Sequence, residues 1–165
     1  MSLTKEEKNI LKDKGEVRFY LREEPFGWLS NFARYPETIE NITYPTNEHF
    51  YQSQKSVKPE IQKWISGAPN AYLAMCAGRS LRPKDGLTTS SKNLLMVVGL
   101  KAKFAQNPEL AASLLETGNA PIHEDSPTDM YWGIKGEDWL GELLMSVRNC
   151  LRCPDLLDAA QPPDD

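Results

Sequence analysis

The sequence lacks any excess of positive charge. It carries 19 Lys+Arg against 23 Asp+Glu, a formal net charge of −4. Four aspartates and no base fall in the last twelve residues, so the rest of the chain is neutral. A broad basic surface for gripping nucleic acid is thereby excluded, since such surfaces are built from clustered Lys and Arg. A nucleic-acid substrate would have to be held locally, in a pocket. Also missing is an apolar run approaching the roughly 18 residues of a membrane span, so no membrane partner is expected. Residues 1–15 are charged and have no apolar centre, so no secretory leader is expected. Cysteines are few and odd in number: Cys76, Cys150 and Cys153. That usage suits reduced thiols, and the expected compartment is the cytoplasm, with the nucleus left open. Cys150-Leu-Arg-Cys153 has CxxC spacing, but no second pair completes a four-ligand zinc site. His49 and His123 are the only histidines, and there is no HExxH. No metal is therefore expected. The absence of G-x-x-x-x-G-K-[ST] and G-x-G-x-x-G removes the P-loop and dinucleotide readings, and no cofactor is expected.

What is present is an ordinary globular balance, 40% apolar and 25% charged. A length of 165 residues suits one domain with its own core. The expected organisation is a polar N-terminal segment at 1–15, a domain at 16–153 and a disordered acidic tail at 154–165. Residues 2–14 read as a polar helix, on the surface or frayed. Residues 17–21 alternate as a strand, and 38–44 read as a strand or hairpin arm with Glu40-Asn41 at a turn. Thr46 is placed to cap a helix running to Val57. Pro59 and Pro69 each open a short helix, and 79–91 reads as a loop. A helix over 91–106 presents Leu94, Leu95, Val98, Leu100 (or Ala102) and Phe104. Another runs from Pro108 to Thr117, closed by Gly118. A short strand is expected at 122–124. The last helix, 138–151, carries Leu140, Leu143, Leu144 and Val147 on one face. Helix dominates and strands are few, which defines a mostly helical α+β fold.

Two polar segments break this pattern. Glu48, Gln52 and Lys55 fall at i, i+4 and i+7, on one face of the predicted helix. Two turns separate Glu48 from Lys55, so they do not pair directly but can grip two ends of one ligand. The competing reading is a solvated charged face. The second segment, 124–133, concentrates acids and aromatics in a predicted loop. Asp129 and Trp132 stand three residues apart, so one turn of helix presents both to one side. An indole stacks on a base and a carboxylate accepts from ribose hydroxyls. The competing reading is a Trp that plugs the core beside a capping Asp.

Taken in order, these segments resemble the NADAR, or YbiA-like, family. The resemblance rests on Gly27-Trp-Leu-Ser-Asn-Phe32, Tyr44-Pro-Thr-Asn-Glu-His-Phe-Tyr-Gln-Ser-Gln-Lys55 and Gly78-Arg79. It continues through Lys103-Phe-Ala-Gln-Asn107, Leu114–Gly118, Glu124, Asp129–Gly133 and Leu140–Arg148, and covers about residues 18 to 151. What the resemblance implies is an N-glycosidase on a mostly helical α+β fold. Two substrate classes come with it. One is the phosphoribosylamino-pyrimidines of early riboflavin synthesis, and the other is ADP-ribosylated guanine, as nucleotide or in nucleic acid. Both reactions break a bond between ribose C1′ and an exocyclic amino nitrogen. By the same resemblance, Glu48, Lys55 and Asp129 are the catalytic candidates. Asn31, Gln52, Arg79, Trp132 and Gly133 are the substrate-binding candidates.

The chain also departs from the family pattern. A family Asp-Trp pair reads Asp85-Gly86 here, and the usual Asn before Leu-Gly reads Asp138-Trp139. Both changes bear on the riboflavin-intermediate specificity. Neither touches Glu48, Lys55, Asp129 or Trp132. The alternative from another class is a non-catalytic module that binds ADP-ribose or a nucleotide.

Overall fold

The computed structural model describes residues 2–81 and 89–153. The tail at 154–165 and the Asp85-Gly86 departure lie outside the described residues. In chain order the elements are α1 (Lys5–Lys14), β1 (Val17–Phe19), a 3₁₀ turn (Gly27–Leu29), β2 (Glu37–Ile39), β3 (Ile42–Tyr44), α2 (Asn47–Ser53), α3 (Pro59–Ser66), α4 (Ala71–Ser80), α5 (Thr89–Gln106), α6 (Pro108–Glu116), β4 (Ile122–Glu124) and α7 (Trp139–Arg152). The expected α+β class, mostly helical with a few short strands, is what the chain adopts. The elements group into two units: residues 21–107, and residues 2–20 with 108–153.

In the second of these units, β1 and β4 pair in parallel, Val17 opposite Ile122 and Phe19 opposite Glu124. The α1 segment is not frayed. The Thr4 hydroxyl accepts the Glu7 N–H, and the Glu7 carboxylate accepts the Thr4 N–H, which satisfies two orphan donors at once. Gly15, at φ 69°, closes the other end in the left-handed region. Glu116 of α6 then ties the segment down. Its carboxylate accepts from Ser2 Oγ at 2.6 Å and the Leu3 N–H at 2.8 Å, and pairs with Lys8 at 2.8 Å. Leu3 is buried as a result. The inward face of α7 is Leu140, Leu144 and Val147, as the spacing predicts, with Leu143 only half-buried. Arg148 is buried there as well. It donates to Thr117 Oγ1 and Ala120 O, both at 2.8 Å, and so ties α7 to the turn after α6.

In the 21–107 unit, β2 and β3 form the expected hairpin. Glu40 and Asn41 sit at its tip with φ of 50° and 64°, the conformation a two-residue I′ turn demands. Helix α2 follows, capped by Thr46, and every one of its seven residues is buried. It packs on α3, α4 and α5. Two glycines permit the approach. A Cβ on Gly78 of α4 would lie 2.1 Å from Gln52 Oε1, and one on Gly99 of α5 would lie 1.9 Å from Asn47 Oδ1.

Four expectations are corrected in this unit. Helix α2 stops at Ser53 rather than Val57. Its last turn tightens, with Lys55 N–H bonded to Gln52 O and Ser56 N–H to Ser53 O. Pro59 then biases Lys58 toward extended backbone, φ −86° and ψ 117°. Pro69 does not open α4 itself, because Asn70 is the cap and Ala71 the first helical residue. Arg79 lies in the last turn of α4 rather than in a loop. The buried stripe of α5 is Met96, Leu100, Lys103 and Phe104, whereas Leu94 and Val98 are exposed.

Lys103 is the surprise of that stripe. Its side chain is fully buried, and its ammonium donates to Trp28 O at 2.8 Å and Ser30 O at 3.0 Å. Glu37, also buried, is the neighbouring acid. Burial pulls the Lys103 ammonium down to about 7 and pushes the Glu37 carboxyl up to about 8, each only partly offset by the other's charge.

Candidate active site

Six of the eight site candidates can be traced to how α2 is packed and to the turn that follows β4. Glu48 is the second residue of α2, where a backbone N–H has no partner within the helix. Asn31 satisfies it: the Asn31 carbonyl accepts the Glu48 N–H at 3.0 Å. The Asn31 side chain is occupied too, since its Oδ1 accepts from Asn47 Nδ2 at 2.8 Å. One turn on, Gln52 Nε2 donates to Glu48 Oε1 at 2.6 Å. Glu48, Gln52 and Asn31 are all buried. The competing reading of a solvated charged face therefore fails for Glu48 and Gln52.

Lys55 stands two residues past the end of α2 and is half-buried. Its Nζ lies 5.4 Å from the centroid of the Tyr51 ring. Burial holds its ammonium below the ordinary lysine range. The Glu48 carboxylate works against that shift, while the charges of Arg79 and Lys92 add to it. One acid and three cations thus share a field within this unit. Arg79 itself is exposed. Lys92, in α5, is a member that sequence reasoning missed. Its only signal there was a basic residue near the start of a predicted helix.

The other unit carries Asp129, Trp132 and Gly133 in the turn between β4 and α7. Asp129 Oδ1 accepts the N–H groups of Tyr131 at 2.9 Å and Trp132 at 2.8 Å. Asp129 Oδ1 thereby closes the turn that carries Trp132. Trp132 is half-buried rather than a core plug, and it meets the Tyr131 ring edge-on at 4.7 Å. Gly133 is buried, and a Cβ there would lie 2.7 Å from Asp129 O.

The histidines have structural surroundings. His49 is buried between Thr46 Oγ1 at 2.7 Å and Ala68 O at 3.0 Å, and burial lowers its pKa. His123 Nδ1 lies 2.5 Å from Asp138 Oδ2, at the start of α7. Among the described residues, no group of three or more His, Cys, Asp or Glu side chains is placed to hold a metal ion. No helix among them is long and apolar enough to cross a membrane.

Known proteins supply the class to which this chain belongs. A family model, the NADAR domain, matches residues 18–152. The N-glycosidase YbiA of Escherichia coli (strain K12) is 36% identical over 140 residues, which are 82% of this chain and 88% of that protein. A riboflavin biosynthesis protein of Vibrio vulnificus is 32% identical over 143 residues, 82% of this chain but 38% of that longer protein. The NMR structure of the E. coli protein YbiA superposes with a TM-score of 0.77 at 35% identity, covering 85% of this chain and 86% of that one. The chain belongs to the NADAR domain family. Its enzyme class is that of a glycosidase hydrolase acting on N-glycosidic bonds.

Proposed function

We propose that the chain hydrolyses the bond between ribose C1′ and an exocyclic amino nitrogen of a base, on a substrate that carries phosphate. The observation that carries this reading is the buried Glu48 carboxylate, braced by Gln52, in one field with Lys55, Arg79 and Lys92. Breaking an N-glycoside builds positive charge at C1′ and the ring oxygen. A carboxylate aimed at that charge stabilises it and takes the proton of the attacking water. The water oxygen bonds to C1′, the C1′–N electron pair passes to the nitrogen, and Lys55 delivers the proton the leaving amine needs. An ammonium below the ordinary lysine range is a better acid for that step. Arg79 supplies a point of attachment for phosphate. Asp129 and Trp132 are proposed as ligand contacts, the carboxylate for ribose hydroxyls and the indole for the base.

The deciding experiment is incubation of the protein with two substrates, with release of free base or ribose followed in each. One is ADP-ribosyl-guanosine or ADP-ribosylated DNA, and the other is the phosphoribosylamino-pyrimidine. The two riboflavin-specificity departures lead us to expect faster release from ADP-ribosylated guanine. Faster cleavage of the pyrimidine would assign the chain to the riboflavin intermediate, in line with the name of the Vibrio relative. No release from either would sink the reading.

Two further outcomes follow. With Lys55 as proton donor, turnover falls as pH rises through its pKa. Since burial depresses that pKa, the alkaline limb of the kcat profile lies below the ordinary lysine value. Lys55→Met abolishes the limb, and a limb that survives the substitution removes Lys55 from proton transfer. Trp132→Ala weakens ligand binding by about 1–3 kcal/mol, the usual worth of a base stacked on an aromatic ring. Because the ring is half-buried, the loss appears in affinity more than in melting temperature. A large drop in Tm with unchanged Kd would return Trp132 to a packing role.

A further inference from the structure

The Glu48 backbone N–H is held by the carbonyl of Asn31. Asn31 directly follows the two carbonyls that the buried Lys103 ammonium gathers, those of Trp28 and Ser30. The segment is short and irregular: a single 3₁₀ turn at Gly27–Leu29 and then the extended Ser30. Among the described residues it pairs with no strand, and it is held by local backbone bonds such as Leu29 N–H to Phe26 O, by burial of Trp28 and Leu29, and by side-chain ties such as these. The carbonyl of Lys103 accepts from Asn107 Nδ2 at 2.8 Å, and the same amide reaches Pro36 O at 3.2 Å. Gln106 spans both the N–H and the C=O of Thr38, at 2.7 Å and 2.8 Å. The end of α5 is thus anchored on β2, and Lys103 acts from a fixed base.

We propose that Lys103 is a positioning residue for Glu48. From inside the core its ammonium clamps the carbonyls of residues 28 and 30. Asn31 is thereby held where its carbonyl and side chain fix the first turn of α2, and with it the Glu48 carboxylate. A fully buried lysine is a costly means of filling a core. An apolar side chain of that size would fill the space but take the Lys103 donor from both carbonyls, Ser30 O keeping its bond from the Ala33 N–H at 3.1 Å. This inference rests on Glu48 being the site carboxylate, and it extends the site to a residue that touches neither substrate nor Glu48.

The test is Lys103→Met, which preserves length and bulk and removes the donor. Three quantities are measured: kcat and KM for base release, Tm, and hydrogen exchange at the Glu48 amide. The expected result is a kcat at least ~10-fold lower with KM little changed, because a small displacement of a catalytic group is felt in turnover. Exchange at the Glu48 amide should accelerate beyond that of amides elsewhere in the protein. A lower Tm with wild-type kcat would make Lys103 a core residue only and overturn the inference. If Lys103→Met does not fold, the unmodified protein decides. There the Glu48 amide should exchange as slowly as the core amide of Leu100, and fast exchange overturns the clamp. The Glu48→Gln assay separates the two levels. Slow Glu48→Gln beside normal Lys103→Met defeats this inference alone, whereas normal Glu48→Gln defeats the reading beneath it.

Discussion

Replacing Glu48 with glutamine is expected to slow base release at least ~100-fold, the low end for a positioned acid or base. Glutamine keeps the length of the side chain, and its carbonyl oxygen can still accept from Gln52 Nε2, which now bonds Glu48 Oε1 at 2.6 Å. The backbone tie from Glu48 N–H to Asn31 O is untouched by the change. Fold and melting temperature should therefore hold. What disappears is negative charge and basicity at a buried point near Lys55. Those properties matter most when charge develops at C1′ and when water must give up a proton. An interaction made mainly in the transition state lowers kcat and kcat/KM together and leaves binding largely intact. The measurement is single-turnover release of free base, with ligand affinity determined separately by calorimetry. Turnover near wild type would remove Glu48 from the chemistry and make Asp129 the next carboxylate to test.

How much of this was legible in the sequence depends on the range of the signal. The hairpin tip at Glu40-Asn41, the Thr46 cap and the inner face of α7 were readable because each is decided within a few residues. The end of α2 was not. It follows from a tightened last turn and from Pro59, six residues past Ser53, and the 3.6-residue pattern carries straight on through that point. Periodicity also placed Glu48 and Gln52 on one face without saying what lies over it. Burial comes from Gly78 and Gly99, which let α4 and α5 close on α2, and those contacts are remote in sequence. On α5 two stripes compete. The residues Leu94 and Val98 spell an apolar face and are exposed. The buried stripe keeps Leu100 and Phe104 of the expected set and adds Met96 and Lys103, at offsets of four, seven and eight from Met96 for Leu100, Lys103 and Phe104. A lysine inside an apolar stripe was the available signal, and it reads as an interruption unless its acceptors are known. The chemistry of the class came through the resemblance of short motifs, since no spacing rule alone turns a Glu and a Lys into an N-glycosidase.

Gly78→Ala is expected to cost both stability and turnover, through contacts that can be named. The added methyl would stand 2.1 Å from Gln52 Oε1 and 2.9 Å from Gln52 Cβ and Cδ. The outer atoms of Gln52 can swing away, but the Cβ is fixed to α2, whose residues are all buried. Either α4 withdraws from α2 or Gln52 leaves its rotamer. Overpacking of this kind costs about 1–3 kcal/mol. When Gln52 turns, its Nε2 leaves Glu48 Oε1, and the carboxylate loses the group that orients it. Turnover should then fall at least ~10-fold, since small misplacements of catalytic groups are costly. Gly99→Ala is the comparison. Its methyl would stand 1.9 Å from Asn47 Oδ1 and 2.8 Å from Phe50 Cδ1, on the same helix but away from Gln52. It should lower Tm by a similar amount, and its loss of kcat should come through Asn47 and the bond to Asn31 rather than through Gln52. The decisive variant is the pair Gly78→Ala with Gln52→Ala, which removes the contacts at Oε1 and Cδ and leaves the one at Cβ. Stability should return toward that of Gln52→Ala alone while turnover stays low, a coupling that a double-mutant cycle reads directly. If Gly78→Ala alone keeps wild-type kcat, then Gln52 does not orient Glu48, and the short hydrogen bond between them is a packing feature of α2.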